Sequence, residues 1–516
     1  MLYGTLFDDA LTRKRGIMTK QELFNLKNGT DVRGTAVGGV EGDPVTLTDE
    51  AVTLIAKAFF VWAQKKLGKR PVVAVGCDSR LSSPHIAGLC AKAVASCGGD
   101  AVLTGLSSTP SMFMLLKSDF GADASIMITA SHLPFQKNGL KFFLKSGGLE
   151  GSDVAKVLEI ASAGGFPEGN GSVSEKSYLK EYAAGLVAMV RSACGEDEPL
   201  KGKRILVDAG NGAGGFYCDL VLKPLGADTA GSQFLEPDGR FPNHIPNPEN
   251  AAAMKSVSEA VVKNKADFGI IFDTDVDRAG AVASDGEEIN RNRLIALISA
   301  ILLKEKAGAI VTDSVTSDGL AAFIAAKGGK HVRFKRGYKN VINESKRLNE
   351  SGVYSPLAIE TSGHAALKEN YFLDDGAYLV TRLLISLAKL SKENKALLDL
   401  IADLKEPAEA KEVRLKFKAG CDFKTLGKTV IEEVTALAAQ TAGLSLAPDN
   451  FEGVRINFDG QNGNGWALVR MSLHEPILPV NAESDEKGGV AKILNRLYGF
   501  LKKYDFLDAE NLIKNS

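Results

Sequence analysis

PVVAVGCDSRLSSPHIAGLCAKAVASCGGDAVL (residues 71–103) reads as one strand–helix–strand unit. An apolar run ends at Asp78, small residues turn the chain, a helical stretch follows, and Gly98 precedes the next apolar run. The same order recurs from KRILVDAGNG (203–212) to PLGADTAG (224–231), and from GAIVTDSVTSDG (308–319) to AKGGKHVRF (326–334). Asp78, Asp208 and Asp313 close the three leading strands, and Gly98, Gly226 and Gly328 suit helix termination. Short continuous apolar strands alternating with helices predict βαβ units and largely parallel sheets.

The chain carries 516 residues, and about 150 residues per domain gives roughly three to four domains. Junctions are predicted at the Gly-rich SAGGFPEGNGS (162–172), before the third repeat near Lys304, and around Pro407. The last region has a different, α+β pattern. The predicted fold class is therefore α/β: four domains around a central cleft, three repeated mixed or parallel α/β domains and a smaller α+β fourth. Their expected spans are 1–175, 176–303, 304–406 and 407–516. A balance of 62 Lys+Arg against 63 Asp+Glu gives no general attraction to nucleic acid or anionic membrane, so neither is an expected partner. LIALISAILL (294–303) is too short to span a bilayer and reads as a buried helix. Asp8 and Asp9 stand where a signal peptide would place an apolar core, and the six cysteines show no CxxC pair. A cytoplasmic protein with reduced thiols is the expectation.

DFGIIFDTDVDRAGAV (267–282) carries the strongest chemical signal. An apolar strand runs into Asp273, Asp275 and Asp277, and alternate residues of an extended chain project to one side. Three converging carboxylates repel unless a cation offsets them, and oxygen-only ligands favour Mg²⁺. Arg278 adds a fixed charge suited to phosphate. An EF-hand would need Gly and Glu where Arg278 and Ser284 stand, so calcium is poorly supported. On this segment alone, a phosphatase using Asp273 and Asp275 competes.

ASIMITASHLPFQKNGLKFF (124–143) is the second signal. Small residues around Ser131, at a strand-to-loop turn, leave its hydroxyl accessible as a nucleophile or phosphoryl acceptor. His132, Asn138 and Lys141 are placed to bind phosphate or move protons. In isolation the tetrapeptide TASH also suits a plain capped turn.

With these residues in view, the chain resembles the α-D-phosphohexomutases. TASHLPFQKNGLKF is similar to that family's phosphoserine loop, DTDVDR to its metal loop, IETSGH (359–364) to its sugar loop and VRMSLHEP (469–476) to its phosphate loop. The four occur in family order across about residues 25–485, supported by GTDVRG (29–34), GCDSRLSS (76–83) and DGRFPNHIPNPE (238–249). The resemblance implies that Ser131 carries a phosphoryl group bridged by Mg²⁺ on Asp273, Asp275 and Asp277. It implies Lys141 as acid/base, with Arg33, His132 and Arg278 supporting. Glu360, Ser362 and His364 would bind sugar hydroxyls, and Gly337, Tyr338 and Lys339 further substrate atoms, assisted by Arg336. Arg470, Ser472 and His474 would grip the phosphate not transferred.

The implied reaction moves a phosphoryl group between positions 1 and 6 of a hexose phosphate through a hexose 1,6-bisphosphate, in a monomer or homodimer. Leu133 replaces a usual Asn, Met471, Leu473 and His474 depart from the phosphate-loop pattern, and VTDSVTSDG lacks a lysine some relatives carry. ETSGH suits glucose or mannose substrates. An Mg²⁺-dependent aspartyl phosphatase and a non-catalytic phosphosugar-binding protein are the alternatives.

Overall fold

The computed structural model describes residues 18–448, 450–472 and 475–514. The N-terminal segment without an apolar core, and His474, lie outside them. Among the described residues the chain builds four sheets in sequence order. In the first, strand Val72–Cys77 pairs in parallel with Asp100–Leu106 and Ala124–Ile128. Lys137–Leu144 then runs antiparallel to Ala124–Ile128 and to Asp31–Thr35, with the short strand Lys27–Asn28 at the sheet's edge. That hairpin places the 129–136 loop at the C-terminal ends of the parallel strands, where open α/β sheets present ligands. Ile55, Phe59, Val75, Ile126 and Phe142 fill the core beneath it.

The second sheet pairs Ile205–Asp208 in parallel with Phe268–Phe272, which turns back antiparallel into Ala279–Ala283. The third sets Ala309–Thr312 between parallel Lys330–Arg333 and Leu357–Ile359, with two antiparallel strands beyond. The fourth is wholly antiparallel, with helices Phe423–Gln440 and Gly489–Leu501 packed on it. Three mixed α/β sheets followed by an α+β unit are the predicted fold class.

Three expectations change in detail. After Asp208 the helical stretch is a π turn (Cys218–Leu222) running into a 3₁₀ turn (Lys223–Leu225). Beyond Gly226 only isolated bridges, Arg204 to Asp228 and Asp208 to Gln233, replace the anticipated strand. ADTAGSQ has no apolar run to bury there. The Gly-rich 162–172 segment is packed rather than a free linker. Gly169 and Gly171 donate backbone hydrogen bonds to Ser96 and Ala95, and Val173–Glu175 joins the first sheet. Helix Arg291–Glu305, placed before the 303/304 junction by sequence, packs against helix Asp318–Ala326 and the turn Leu397–Ile401 of the third unit. The reason is its all-round apolarity: Leu294 to Leu303 are buried throughout, as predicted for this run.

The second and third units share one core, in which Leu186, Phe272, Leu297 and Leu383 meet. Tyr217 and Thr381 hydroxyls bond across it at 2.7 Å, and Tyr182 Oη donates to Asp375 Oδ1 at 2.7 Å. The 273–278 loop and the 359–364 segment thus extend from two units that share one core. Among the described residues no helix is long and apolar enough to cross a membrane.

Candidate active site

The three aspartates converge, but strand alternation is not the cause. The hairpin strands end at Phe272 and resume at Ala279, so residues 273–278 form a tight connecting loop. Val276 sits at φ +66°, a costly conformation for a β-branched residue. Three backbone bonds from three units hold it there: Thr109 N–H to Asp275 O, Ala213 N–H to Thr274 O and Gly376 N–H to Val276 O. One ligand oxygen from each aspartate lies within 4.8 Å of the others.

Asp273, Asp275 and Asp277 are buried. Lys141 Nζ donates to Asp275 Oδ2 at 3.1 Å and to Asp277 Oδ2 at 2.5 Å. Asp275 Oδ1 and Asp277 Oδ1 are buried with no hydrogen-bond partner. Burial and the neighbouring Asp277 and Asp275 charges push Asp273 well above the usual carboxylate range. Burial opposes ionisation of Asp277 too, but Lys141, His364 and Arg278 hold it well below that range. Unpaired hard oxygens and mutual repulsion fit a small divalent cation.

Ser131 adopts φ +52°, which turns its hydroxyl from the first sheet toward this cluster. Its Oγ donates to Asp273 Oδ2 at 2.9 Å and accepts from Arg278 Nη2 at 3.0 Å. Arg278 also donates to His132 Nδ1 at 2.5 Å. Guanidinium only donates, so that ring nitrogen is an acceptor. Burial, Arg278 and Arg33 push His132 down to about 2. His132 is therefore a neutral acceptor beside Ser131. Arg33 enters from strand Asp31–Thr35, paired with Asp31 at 2.9 Å, with its Nε buried and unpartnered.

From the third unit, His364 Nδ1 bonds Asp374 Oδ2 at 2.5 Å and lies 3.9 Å from Asp277 Oδ1. Although burial opposes it, Asp374 and Asp277 raise His364 to about 9, keeping it charged. Tyr338 stacks on its ring with centroids 5.2 Å apart. Glu360 Oε1 accepts Gly337 N–H at 2.6 Å, while the buried Ser362 Oγ has no partner. Lys339 instead reaches back to the first unit, donating to Gly148 O at 2.8 Å. From the fourth unit, Arg470 lies 3.8 Å from Glu452, with its Nε buried and unpartnered. Ser472 follows in the turn joining the strands ending at Val469 and starting at Ile477. A 740 Å³ cavity between the second, third and fourth units is lined by Asn290, Arg336, Thr361 and Glu412.

Sequence reading missed the partners of the three repeated aspartates. Asp78 pairs with Arg80 at 3.2 Å, Asp208 with His244 at 3.0 Å, and Asp313 with Arg336 at 3.4 Å. Each pair ties a strand end to a site loop. Buried Arg80 donates to the carbonyls of Ser131, Leu133, Pro134 and Lys137, and so shapes the serine loop. His244 fixes the segment whose Asn247 accepts from Arg278 at 3.3 Å. Arg80 and His244 lie within the quoted GCDSRLSS and DGRFPNHIPNPE stretches and Arg336 beside Gly337, but no common spacing links them to the recurring Asp. Replacing Arg80 by Met strands the Asp78 carboxylate and four carbonyls. A loss of roughly 3–5 kcal/mol in urea unfolding is expected, with reduced kcat.

Comparison with known proteins agrees with this geometry. Residues 26–166, 178–286 and 290–406 match, in order, the families described as phosphoglucomutase/phosphomannomutase alpha/beta/alpha domains I, II and III. A phosphoglucomutase of Neisseria gonorrhoeae is 30% identical over 455 residues, 87% of this chain and 92% of that protein. A phosphomannomutase/phosphoglucomutase of Pseudomonas aeruginosa is 29% identical over 476 residues, 92% of this chain and 96% of that one. The crystal structure of a phosphoglucomutase/phosphomannomutase family protein from Burkholderia thailandensis superposes with a TM-score of 0.77 at 26% identity, covering 94% and 98% of the two chains. With three consecutive domain families matched along most of its length, the chain belongs to the phosphoglucomutase/phosphomannomutase family.

Proposed function

We propose that this protein is a phosphohexomutase that moves a phosphoryl group between positions 1 and 6 of glucose and/or mannose phosphates, by way of phosphorylated Ser131 and a hexose 1,6-bisphosphate. One observation supports it most: a serine hydroxyl 2.9 Å from Asp273 joins the first unit to a three-carboxylate loop of the second. Mg²⁺ bound by Asp273, Asp275, Asp277 and a phosphoserine oxygen would supply charge stabilisation for the transfer. Arg278, already on Ser131 Oγ, is placed to offset charge on the moving phosphoryl group. In the forward half-reaction a sugar hydroxyl forms the new P–O bond as the bond to Ser131 Oγ breaks. The hydroxyl proton leaves to a site base and a proton returns to Ser131. Lys141 is the acid/base group of this reading, and Glu360, Ser362 and His364 are the sugar-facing set.

Glucose 1-phosphate with a catalytic amount of glucose 1,6-bisphosphate should yield glucose 6-phosphate, and parallel assays with mannose and glucosamine phosphates rank the sugars. Release of free phosphate without isomerised sugar would favour the aspartyl phosphatase. Sugar-phosphate binding with no turnover by Ser131-phosphorylated protein would favour the binding protein.

Glu360 gives this reading a pH signature. Burial and the nearby Asp313 charge push its carboxyl up to about 7, against the pull of His364 and Arg336. Folding therefore favours its protonated form. The resulting stability is full below the unfolded pKa and is lost as pH rises through about 7. Glu360→Gln should flatten that decline, by at most roughly 3 kcal/mol, in urea unfolding between pH 5 and pH 8. It should also raise KM for the sugar phosphate more than it lowers kcat.

A further inference from the structure

Two of the contacts between the fourth unit and the third differ in kind. Arg455 is buried and makes a fixed joint. It stacks on Trp466 at 3.5 Å, donates to Ser314 O and Thr316 O, and pairs with Asp318 at 2.9 Å. Glu452, three residues earlier, makes a contact of another character. Its Oε2 accepts from Ser314 Oγ at 2.6 Å and from the Arg336 backbone N–H at 3.0 Å. Its Oε1 faces Arg470 Nη1 at 3.8 Å. The guanidinium keeps Nε free of any partner, although it is buried. One carboxylate thus links the strand end after Thr312, the connection before helix Tyr338–Glu350 and Arg470 of the fourth unit.

We propose that Glu452 is a positioning residue that competes with the substrate's non-transferred phosphate for Arg470. This rests on the reading above, in which Arg470 grips that phosphate. At 3.8 Å the carboxylate makes one ion pair without a hydrogen bond, which a phosphate offering several oxygens to the planar fork can displace. When phosphate arrives, Arg470 exchanges partners, while Ser314 and the Arg336 N–H still hold Glu452 at the interface. When phosphate leaves, the guanidinium returns to a waiting anion. Glu452 so limits phosphate affinity, and a bisphosphate intermediate that must turn over between two half-reactions gains from a grip that releases.

Glu452→Gln separates competition from simple structural support. The amide oxygen still accepts from Ser314 and Arg336, but the charge facing Arg470 is gone. Calorimetric titration of the full-length protein with glucose 1-phosphate, and separately with inorganic phosphate, should show Kd lower by roughly threefold to tenfold. KM should fall with it, and kcat should fall rather than rise. In an Arg470→Ala background the same substitution should leave Kd unchanged. Weaker or unchanged binding in Glu452→Gln, or equal tightening without Arg470, overturns the proposal. Identical affinity in wild type and Arg470→Ala would instead remove Arg470 from phosphate binding, and no sugar isomerisation would sink the mutase reading. Because the decisive result is a gain in affinity, a partly unfolded variant cannot imitate it.

Discussion

Ser131→Ala is expected to lower interconversion of glucose 1-phosphate and glucose 6-phosphate by at least about four orders of magnitude. It should also remove the phosphoryl mass increment that glucose 1,6-bisphosphate adds to the wild-type protein. The size follows from the hydroxyl's position. Oγ is the atom to which the phosphoryl group is attached in this reading, and Asp273 and Arg278 are organised around it. Alanine leaves those groups in place with nothing to transfer. The loop itself should survive, because Arg80 holds backbone carbonyls of Ser131, Leu133, Pro134 and Lys137 rather than the serine side chain. Loss of the hydroxyl's bonds should cost no more than about 2 kcal/mol in thermal or urea unfolding. A folded variant with undiminished turnover would move the chemistry to another nucleophile, Asp273 first.

Ser131 and the aspartates were legible in the sequence because they lie within a few residues of the ends of apolar strands. A buried strand that stops at a polar residue places that residue at the sheet's C-terminal end, whatever the loop does next. The loop's own geometry was not legible. Asp273 to Asp277 converge through a turn with Val276 at positive φ, a conformation no sequence pattern would assign to valine. It persists because Thr109, Ala213 and Gly376 clamp it from three units. Long-range contacts also decided the rest of what was missed. Asp374 sets the charge on His364, Arg336 answers Asp313, and His244 answers Asp208. Each repeated Asp was visible as a repeat mark, but its cation comes from a different place in each unit. The repeat therefore predicted the fold better than it predicted which side chains steer the loops. In VTDSVTSDG, which has no lysine, Asp313 at the strand end pairs with Arg336 at 3.4 Å.

Asp277→Asn carries the second large effect. Asp277 is held ionised, since Lys141 lies 2.5 Å away and His364 and Arg278 add to the field. The amide keeps the shape and removes one of the three carboxylates. Affinity for Mg²⁺, read as the concentration that half-activates turnover, should weaken by at least tenfold to about a hundredfold. At saturating Mg²⁺, kcat/KM should remain down by roughly 10²–10³-fold. A readout independent of activity is the rise in melting temperature that Mg²⁺ gives the wild-type protein, which should shrink or vanish. The metal-free variant should not collapse. Lys141 keeps Asp275 at 3.1 Å, and removing Asp277 relieves the repulsion that burial and two neighbouring carboxylates impose on Asp273. The substitution should also lower the phosphorylated fraction of Ser131 after treatment with bisphosphate. Phosphoserine adds about −1.5 to −2 charge where Ser131 Oγ already lies 2.9 Å from an aspartate. A divalent cation brings the matching positive charge, so the site accepts metal and phosphoryl group as a nearly neutral pair. Normal phosphorylation of Ser131 in Asp277→Asn, together with an undiminished Mg²⁺-dependent thermal shift, would show that Asp277 does not hold the metal.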